Sequence, residues 1–256
     1  MILIAYNVEN SFPLVIAANR DEFFARPTAP LHFWEDKPDI LAGRDLSGGG
    51  TWMGVTRQGR FAALTNFREP EKSLANPPTR GELVSDFLAG SMSTPEYLAV
   101  LADKSSAYNG FNLICGHLTE GLWHFSNRND APACLQPLTA GIYGLSNHLL
   151  DTPWPKVARG KSALAMAVNA LPSESLLFGL LRDENIHEDK TLPRTGISLE
   201  WERMLSAAFV RAPDYGTRCC SLLSLDRHEF VTFDEQTWLA GACPGHRQRY
   251  RFKLAG

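Results

Sequence analysis

The hydrophobic pattern of the chain falls into short runs that switch between strand-like and helical spacing. Ile2-Leu3-Ile4-Ala5-Tyr6 and Leu14-Val15-Ile16-Ala17-Ala18 are apolar at every position, which predicts strands buried on both faces. The polar stretch Asn7-Val8-Glu9-Asn10-Ser11 between them predicts a hairpin. Directly after the second run come Asn19-Arg20-Asp21-Glu22, four polar residues in a row. Charges driven to the edge of a core must be paired, hydrogen-bonded or lining a site. On spacing alone, a salt-bridged strand end and a functional site both remain open.

Residues 23–38 read as irregular, with Pro27, Pro30 and Pro38. Gly48-Gly49-Gly50 reads as a flexible connection; no Lys-Ser/Thr follows it, so it is not a P-loop. Residues 52–56 and 60–65 predict a second hairpin, turned by Arg57-Gln58-Gly59. Thr79-Arg80-Gly81-Glu82 and Ser93-Thr94-Pro95-Glu96 both fit a capping box. The apolar residues behind them, Leu83, Val84, Phe87 and Leu88, then Tyr97, Leu98, Leu101 and Ala102, have helical spacing. Strands are expected at 111–116, 122–125 and about 141–145. A helix capped by Asp151 follows to about Asn169, and Ser173 caps another through Leu181. Residues 182–196 are charged and read as an exposed loop. The last third predicts a hairpin of 217–226 with 229–233, then an alternating edge strand over 247–254. Helices arrive in pairs, not after every strand. That disfavours a doubly wound sheet and favours an α+β single domain, residues 1–256, with antiparallel sheets between helical layers.

Composition narrows the function classes. The formal net charge of -3 gives no electrostatic basis for a nucleic-acid partner. No apolar run is long enough to span a bilayer, and Met1-Ile2-Leu3 has no basic leader, so a cytoplasmic protein is expected. Cys115, Cys134, Cys219, Cys220 and Cys243 are odd in number and form no CxxC pair. Reduced thiols and no metal site follow, with one of Cys219 and Cys220 facing inward.

An ordered set of segments carries a resemblance across nearly the whole chain. They are Asn19-Arg20-Asp21-Glu22, Ala42-Gly43-Arg44-Asp45, Gly49-Gly50-Thr51-Trp52 and Thr65-Asn66-Phe67-Arg68. Arg80-Gly81-Glu82, Tyr108-Asn109-Gly110-Phe111-Asn112, Leu145-Ser146-Asn147, Trp154-Pro155-Lys156-Val157 and Tyr215-Gly216-Thr217-Arg218 continue it. The chain resembles the NRDE family, which includes the TANGO2-like proteins. That resemblance implies a four-layer αββα sandwich of the N-terminal-nucleophile (Ntn) hydrolase type. In such enzymes a cysteine after the initiator Met attacks, its amino group is the base, and fixed donors hold the oxyanion. By motif position, Arg20 and Asp21 take the orienting roles, Asn66 and Asn147 are oxyanion candidates, and Arg218 is a second pocket cation.

The family usually begins Met-Cys, whereas this chain reads Met1-Ile2 and its first cysteine is Cys115. The expectation is therefore an Ntn-type pocket used without catalysis. It would be a carrier for haem or a similar amphipathic ligand such as acyl-CoA or a lipid, with no covalently bound cofactor. The ligand-binding candidates are Asn19, Arg20, Asp21, Glu22, Asn66, Arg68, Asn147, His148 and Arg218. The alternative is a cysteine amidohydrolase or acyltransferase if the protein begins Met-Cys. Of seven histidines, His148 beside Asn147 is the first to test.

Overall fold

The structure is a computed structural model, and it describes residues 1–129 and 137–255, so Cys134 lies outside the described residues. In chain order the elements begin β1 (Ile2–Tyr6), β2 (Leu14–Phe23), β3 (Thr28–Phe33), β4 (Ile40–Asp45), β5 (Met53–Thr56) and β6 (Arg60–Asn66). The helices α1 (Gly81–Ala89) and α2 (Thr94–Lys104) follow, then β7 (Phe111–His117), β8 (Gly121–Ser126) and β9 (Gly141–Leu145). The chain continues with α3 (Pro155–Ala167), α4 (Ser175–Leu181), α5 (Leu199–Met204), β10 (Tyr215–Leu225), β11 (Phe230–Leu239) and β12 (Cys243–Lys253). The class is α+β, as the paired helices predict.

The chain forms two compact units. The first comprises residues 1–26, 139–146 and 150–252; the second comprises 27–138, 147–149 and 253–256. The first unit holds a six-stranded sheet in the order β12-β11-β10-β2-β1-β9. Its two central strands are β10 and β2, and β2 forms a hairpin with β1 in which Ile4 lies opposite Ile16. On one face, Leu3, Ala5, Val15, Ala17 and Leu222 meet Leu164, Leu177 and Leu181 of α3 and α4. Ile2, Ile4 and Ile16, which alternate to the other face, are equally buried, as an unbroken apolar run requires.

The second unit is a meander, β3-β4-β5-β6-β7-β8. Leu83, Val84, Phe87 and Leu88 of α1 and Leu98 and Leu101 of α2 pack with Ala62, Leu113 and Phe111 of its sheet. The helical spacing read from the sequence is this buried face.

Four local expectations are corrected. Residues 28–45 are two strands, not an irregular stretch; β3 is an edge strand, and there Pro30 needs no ladder partner. The glycine run is a packing contact, because a Cβ on Gly50 would stand 2.5 Å from the Gly81 carbonyl carbon. Ser93 makes the predicted capping box with Glu96, but Thr79 makes none, since the N-cap of α1 is Arg80. Asp151 and Ser173 are not caps either. Asp151 accepts from Gly144 N at 2.8 Å and pairs with Lys161 at 2.7 Å, while Trp154 and Glu174 occupy the N-cap positions.

Candidate functional site

The polar signature begins inside a strand, not after it: β2 runs on through Phe23. Strand alternation therefore splits Asn19-Arg20-Asp21-Glu22 between the two faces of the first unit's sheet. Asn19 and Asp21 share the face of Val15 and Ala17, toward the helices. Arg20 and Glu22 share the opposite face with Ile16 and Ala18.

The first pair braces the fold. Asn19, only 1% exposed, donates through Nδ2 to Leu181 O at 2.7 Å and Ala208 O at 2.8 Å. Asp21 accepts from Thr217 Oγ1 at 2.7 Å, and that hydroxyl accepts from Val210 N at 2.9 Å. Buried Lys156 donates to Leu205 O at 2.7 Å. Asn19 on β2, Thr217 on β10 with Asp21 behind it, and Lys156 on α3 thus tie the segment 205–210 to the sheet and to α3. This use of Asn19 and Lys156 is not visible in the sequence, because their carbonyl partners lie far away along the chain.

The second pair stands in a cationic cluster. The β2–β10 register shifts between Thr217 and Cys219, so Asp21 faces Thr217 and Arg20 faces Cys219. This bulge leaves Arg218 as the extra residue and turns it beside Arg20. Arg218 Nη1 donates to Phe23 O at 2.8 Å, Arg26 O at 3.0 Å and Phe24 O at 3.4 Å. Burial, and then the like charge of Arg20, hold the Arg218 guanidinium below the usual arginine value. Glu22 is 3.9 Å from Arg20 and 3.8 Å from Arg26, ion-pair distances too long to be strong. The side chains of Arg20 and Glu22 retain 15% and 24% exposure, so solutes can reach them.

Cys219 and Cys220 are both buried, one on each face, which corrects the expectation that one faces inward. Desolvation is the main cause that holds Cys219 a thiol, far above the ordinary value, and it pushes Cys220 up to about 12. Cys115, buried in the second unit, is raised in the same way.

The remaining predicted site residues lie in the second unit. Asn147 Nδ2 donates to Asn66 O at 3.1 Å, and Asn147 Oδ1 accepts from Arg68 Nη2 at 3.2 Å. A main-chain bond from Arg68 N to Asn147 O, 2.8 Å, runs beside them. Asn112, fully buried on β7, donates to His148 O at 2.9 Å and Thr65 Oγ1 at 3.3 Å. The His148 ring lies 4.7 Å from the Phe67 ring, and burial lowers its pKa. Asn66, Arg68, Asn147 and His148 are therefore brought together, and Asn112 joins them.

Other matched segments are braces. Arg44 forks onto Asp36 at 2.6 and 2.9 Å and stacks over Trp34, so it is engaged in packing. Glu82 accepts from Tyr108 Oη at 2.5 Å, and Arg80 donates to Gly110 O at 3.0 Å. Among the described residues no group of three or more His, Cys, Asp or Glu could hold a metal ion. No described helix is long and apolar enough to cross a membrane.

A family model described as Transport and Golgi organisation 2 matches residues 1–240. The Transport and Golgi organization protein 2 homolog of Homo sapiens is 38% identical over 248 residues, covering 90% of this chain and 88% of that protein. The Bos taurus homolog is 36% identical over 249 residues, again covering 90% and 88%. Among solved structures, the Caenorhabditis elegans N-acylethanolamine-hydrolyzing acid amidase ortholog superposes with a TM-score of 0.50 at 12% identity. That superposition covers 87% of this chain and 91% of the amidase. A likeness at that identity shows the fold, which is Ntn-hydrolase-like, and nothing about the reaction.

Proposed function

Because the chain belongs to the Transport and Golgi organisation 2 family, we propose that it binds a small amphipathic anion, haem or an acyl-bearing lipid, and carries it in the cytoplasm. One observation carries this reading. The β10 bulge sets Arg218 near enough to Arg20, in a partly buried setting, for each positive charge to act on the other. Two like charges kept close in reduced dielectric repel, and an anion placed between them relieves that repulsion. Arginine forks also match carboxylate geometry, as a propionate or fatty-acid carboxylate requires.

Catalysis is the weaker reading. A cysteine nucleophile acts as a thiolate, and burial holds Cys115, Cys219 and Cys220 in the thiol form. The resemblance to an amidase rests on the fold alone.

Titration with haem, followed by Soret absorbance, and with dodecanoate, followed by calorimetry, tests the reading. Saturable micromolar binding is expected for at least one of the two. Arg20→Ala should weaken it at least about tenfold, which is roughly 1.4 kcal/mol. Raised salt should weaken binding to the intact protein as well. Absence of saturation with both probes, or equal affinity in Arg20→Ala, overturns the proposal.

A further inference from the structure

The last strand of the first unit's sheet is an open edge. β12 is the outermost strand in that sheet, and among the described residues no strand pairs with its outer side. It is 11 residues long, and none of them is buried. The other end strands of the two sheets, β9, β3 and β8, each bury at least one residue. A strand edge leaves a row of main-chain N–H and C=O groups without ladder partners, and proteins usually shorten such edges or cover them. β12 is neither short nor covered, and no proline follows Pro244 within it.

Its charge is as unusual as its exposure. β12 holds Arg247, Arg249, Arg251 and Lys253 and no Asp or Glu, in a chain whose formal net charge is -3. Alternation puts these four cations on one face. Arg247 forks onto buried Asp234 at 3.0 and 2.7 Å, and Arg249 onto Glu174 of α4 at 2.7 and 3.0 Å. Arg251 reaches Asp226 only at 3.4 Å, and among the described residues Lys253 has no ion pair. Four cations thus meet three carboxylates, and the surplus lies toward Arg251 and Lys253. All three arginine side chains stay at least half exposed. Arg247 also stacks over Phe178 and Arg251 over Phe230, so the strand is braced before any partner arrives.

The edge and the charge together select the partner. A second copy of β12 does not fit, because antiparallel pairing about Gln248 or Arg249 sets arginine opposite arginine, and like charges directly opposite destabilise a sheet. Nucleic acid matches the charge but not the edge: phosphates accept hydrogen bonds and donate none, whereas the edge offers carbonyls as well as amides. An extended peptide supplies both.

We propose that β12 is a strand-addition site for an extended acidic segment of a partner protein, with Asp or Glu at every second position. The main-chain ladder binds the segment, and its carboxylates lie on the face of Arg251 and Lys253. Directly opposite side chains in such a pair stand about 4.5–5.5 Å apart, close enough for opposite charges to attract. The intervening residues share the face of Gln248, Tyr250 and Phe252, where β-branched side chains pack well. This edge is three strands away from β2 and does not rest on the anion-binding reading.

The test is fluorescence anisotropy of a short labelled peptide of alternating glutamate and valine, titrated with the full chain. Three companion probes are titrated alongside. One is the same peptide N-methylated throughout, which keeps its charge and loses its main-chain donors. The second has the same composition with its glutamates in one block, and the third is single-stranded DNA of the same charge. The alternating peptide should bind saturably and slow amide exchange over residues 245–253. The three companions should each bind at least about tenfold more weakly, as the loss of the ladder or of the alternation requires. Arg251→Glu combined with Lys253→Glu should weaken the alternating peptide at least about tenfold. Arg251→Gln, a milder change should the double variant melt early, should weaken it about threefold.

No saturable binding of the alternating peptide, or unchanged affinity in both variants, would overturn the proposal. Equal binding of any companion probe would overturn it too, by showing that charge alone is recognised and not an added strand.

Discussion

At the scale of single residues, the signature divides by strand parity. Asn19 and Asp21 serve the core side, while Arg20 and Glu22 serve the open side. Asn19→Ala should therefore act mainly on stability. It strips a donor from two main-chain carbonyls at once, and a buried unsatisfied group costs about 1–3 kcal/mol. A urea melt should show a loss of about 2 kcal/mol or more. Arg20→Ala, on an accessible side chain with only a long ion pair, should stay within about 1 kcal/mol in the same melt. Equal large losses in both would contradict the division. The alternation itself was legible, because a strand ending in four polar residues must point them in turn to opposite sides. Which pair braces and which is open was not legible. That depends on Leu181, Ala208 and Thr217, which reach β2 only in the folded chain.

His148 gives a second residue-scale expectation. Burial lowers its folded pKa below the ordinary value of 6.5, so the unfolded chain binds the proton more readily. The neutral ring's contribution is therefore complete above about pH 6.5 and declines as pH falls through the folded value. His187 is lowered with the same sign, burial again the first cause. Stability measured from pH 7.5 to 5 should fall toward acid. The slope should be shallower in His148→Gln; an unchanged slope would rule His148 out as a source.

At the scale of elements, what was readable was whatever local sequence decides. The apolar runs gave β1 and β2, and β9 lies where its run was read. The period of 3.6 gave the buried faces of α1 and α2. Caps were less legible. Ser93 and Thr79 carry the same S/T-x-x-E pattern, yet only Ser93 bonds the N3 amide; α1 starts one residue later, with Arg80 at the N-cap. Ser93→Ala should cost about 1 kcal/mol, the usual value of a lost N-cap, and Thr79→Ala clearly less. Gly50→Ala should cost more, about 1–3 kcal/mol, since its Cβ meets Gly81 main chain and not a flexible side chain. Thermal melting of the three variants should rank Gly50→Ala lowest. The edge strand β3 was hidden for another reason. Prolines usually signal loops, and β3 tolerates Pro30 only because one side of an edge strand needs no partner.

At the scale of the whole molecule, the α+β class was legible from the grouping of helices, and the family from motifs spread over the chain. The division into two units was not, since each is assembled from separated stretches and no linker marks the junctions. From the sequence the predicted site residues form a single set. In the structure Arg20, Asp21, Glu22 and Arg218 belong to the first unit, and Asn66, Arg68, Asn147 and His148 to the second. The central proposal concerns the first set: that Arg20 and Arg218, set near each other by the bulge on β10, bind an anion. Its most direct test is calorimetric titration of hexadecanoate into the wild-type chain and into Arg20→Ala, with melting of both recorded. The account predicts one saturable micromolar site in the wild type, at least about tenfold weaker in the variant, with melting nearly unchanged. No saturable heat together with no saturable Soret change on titration with haem, or the same affinity in both proteins, would contradict it.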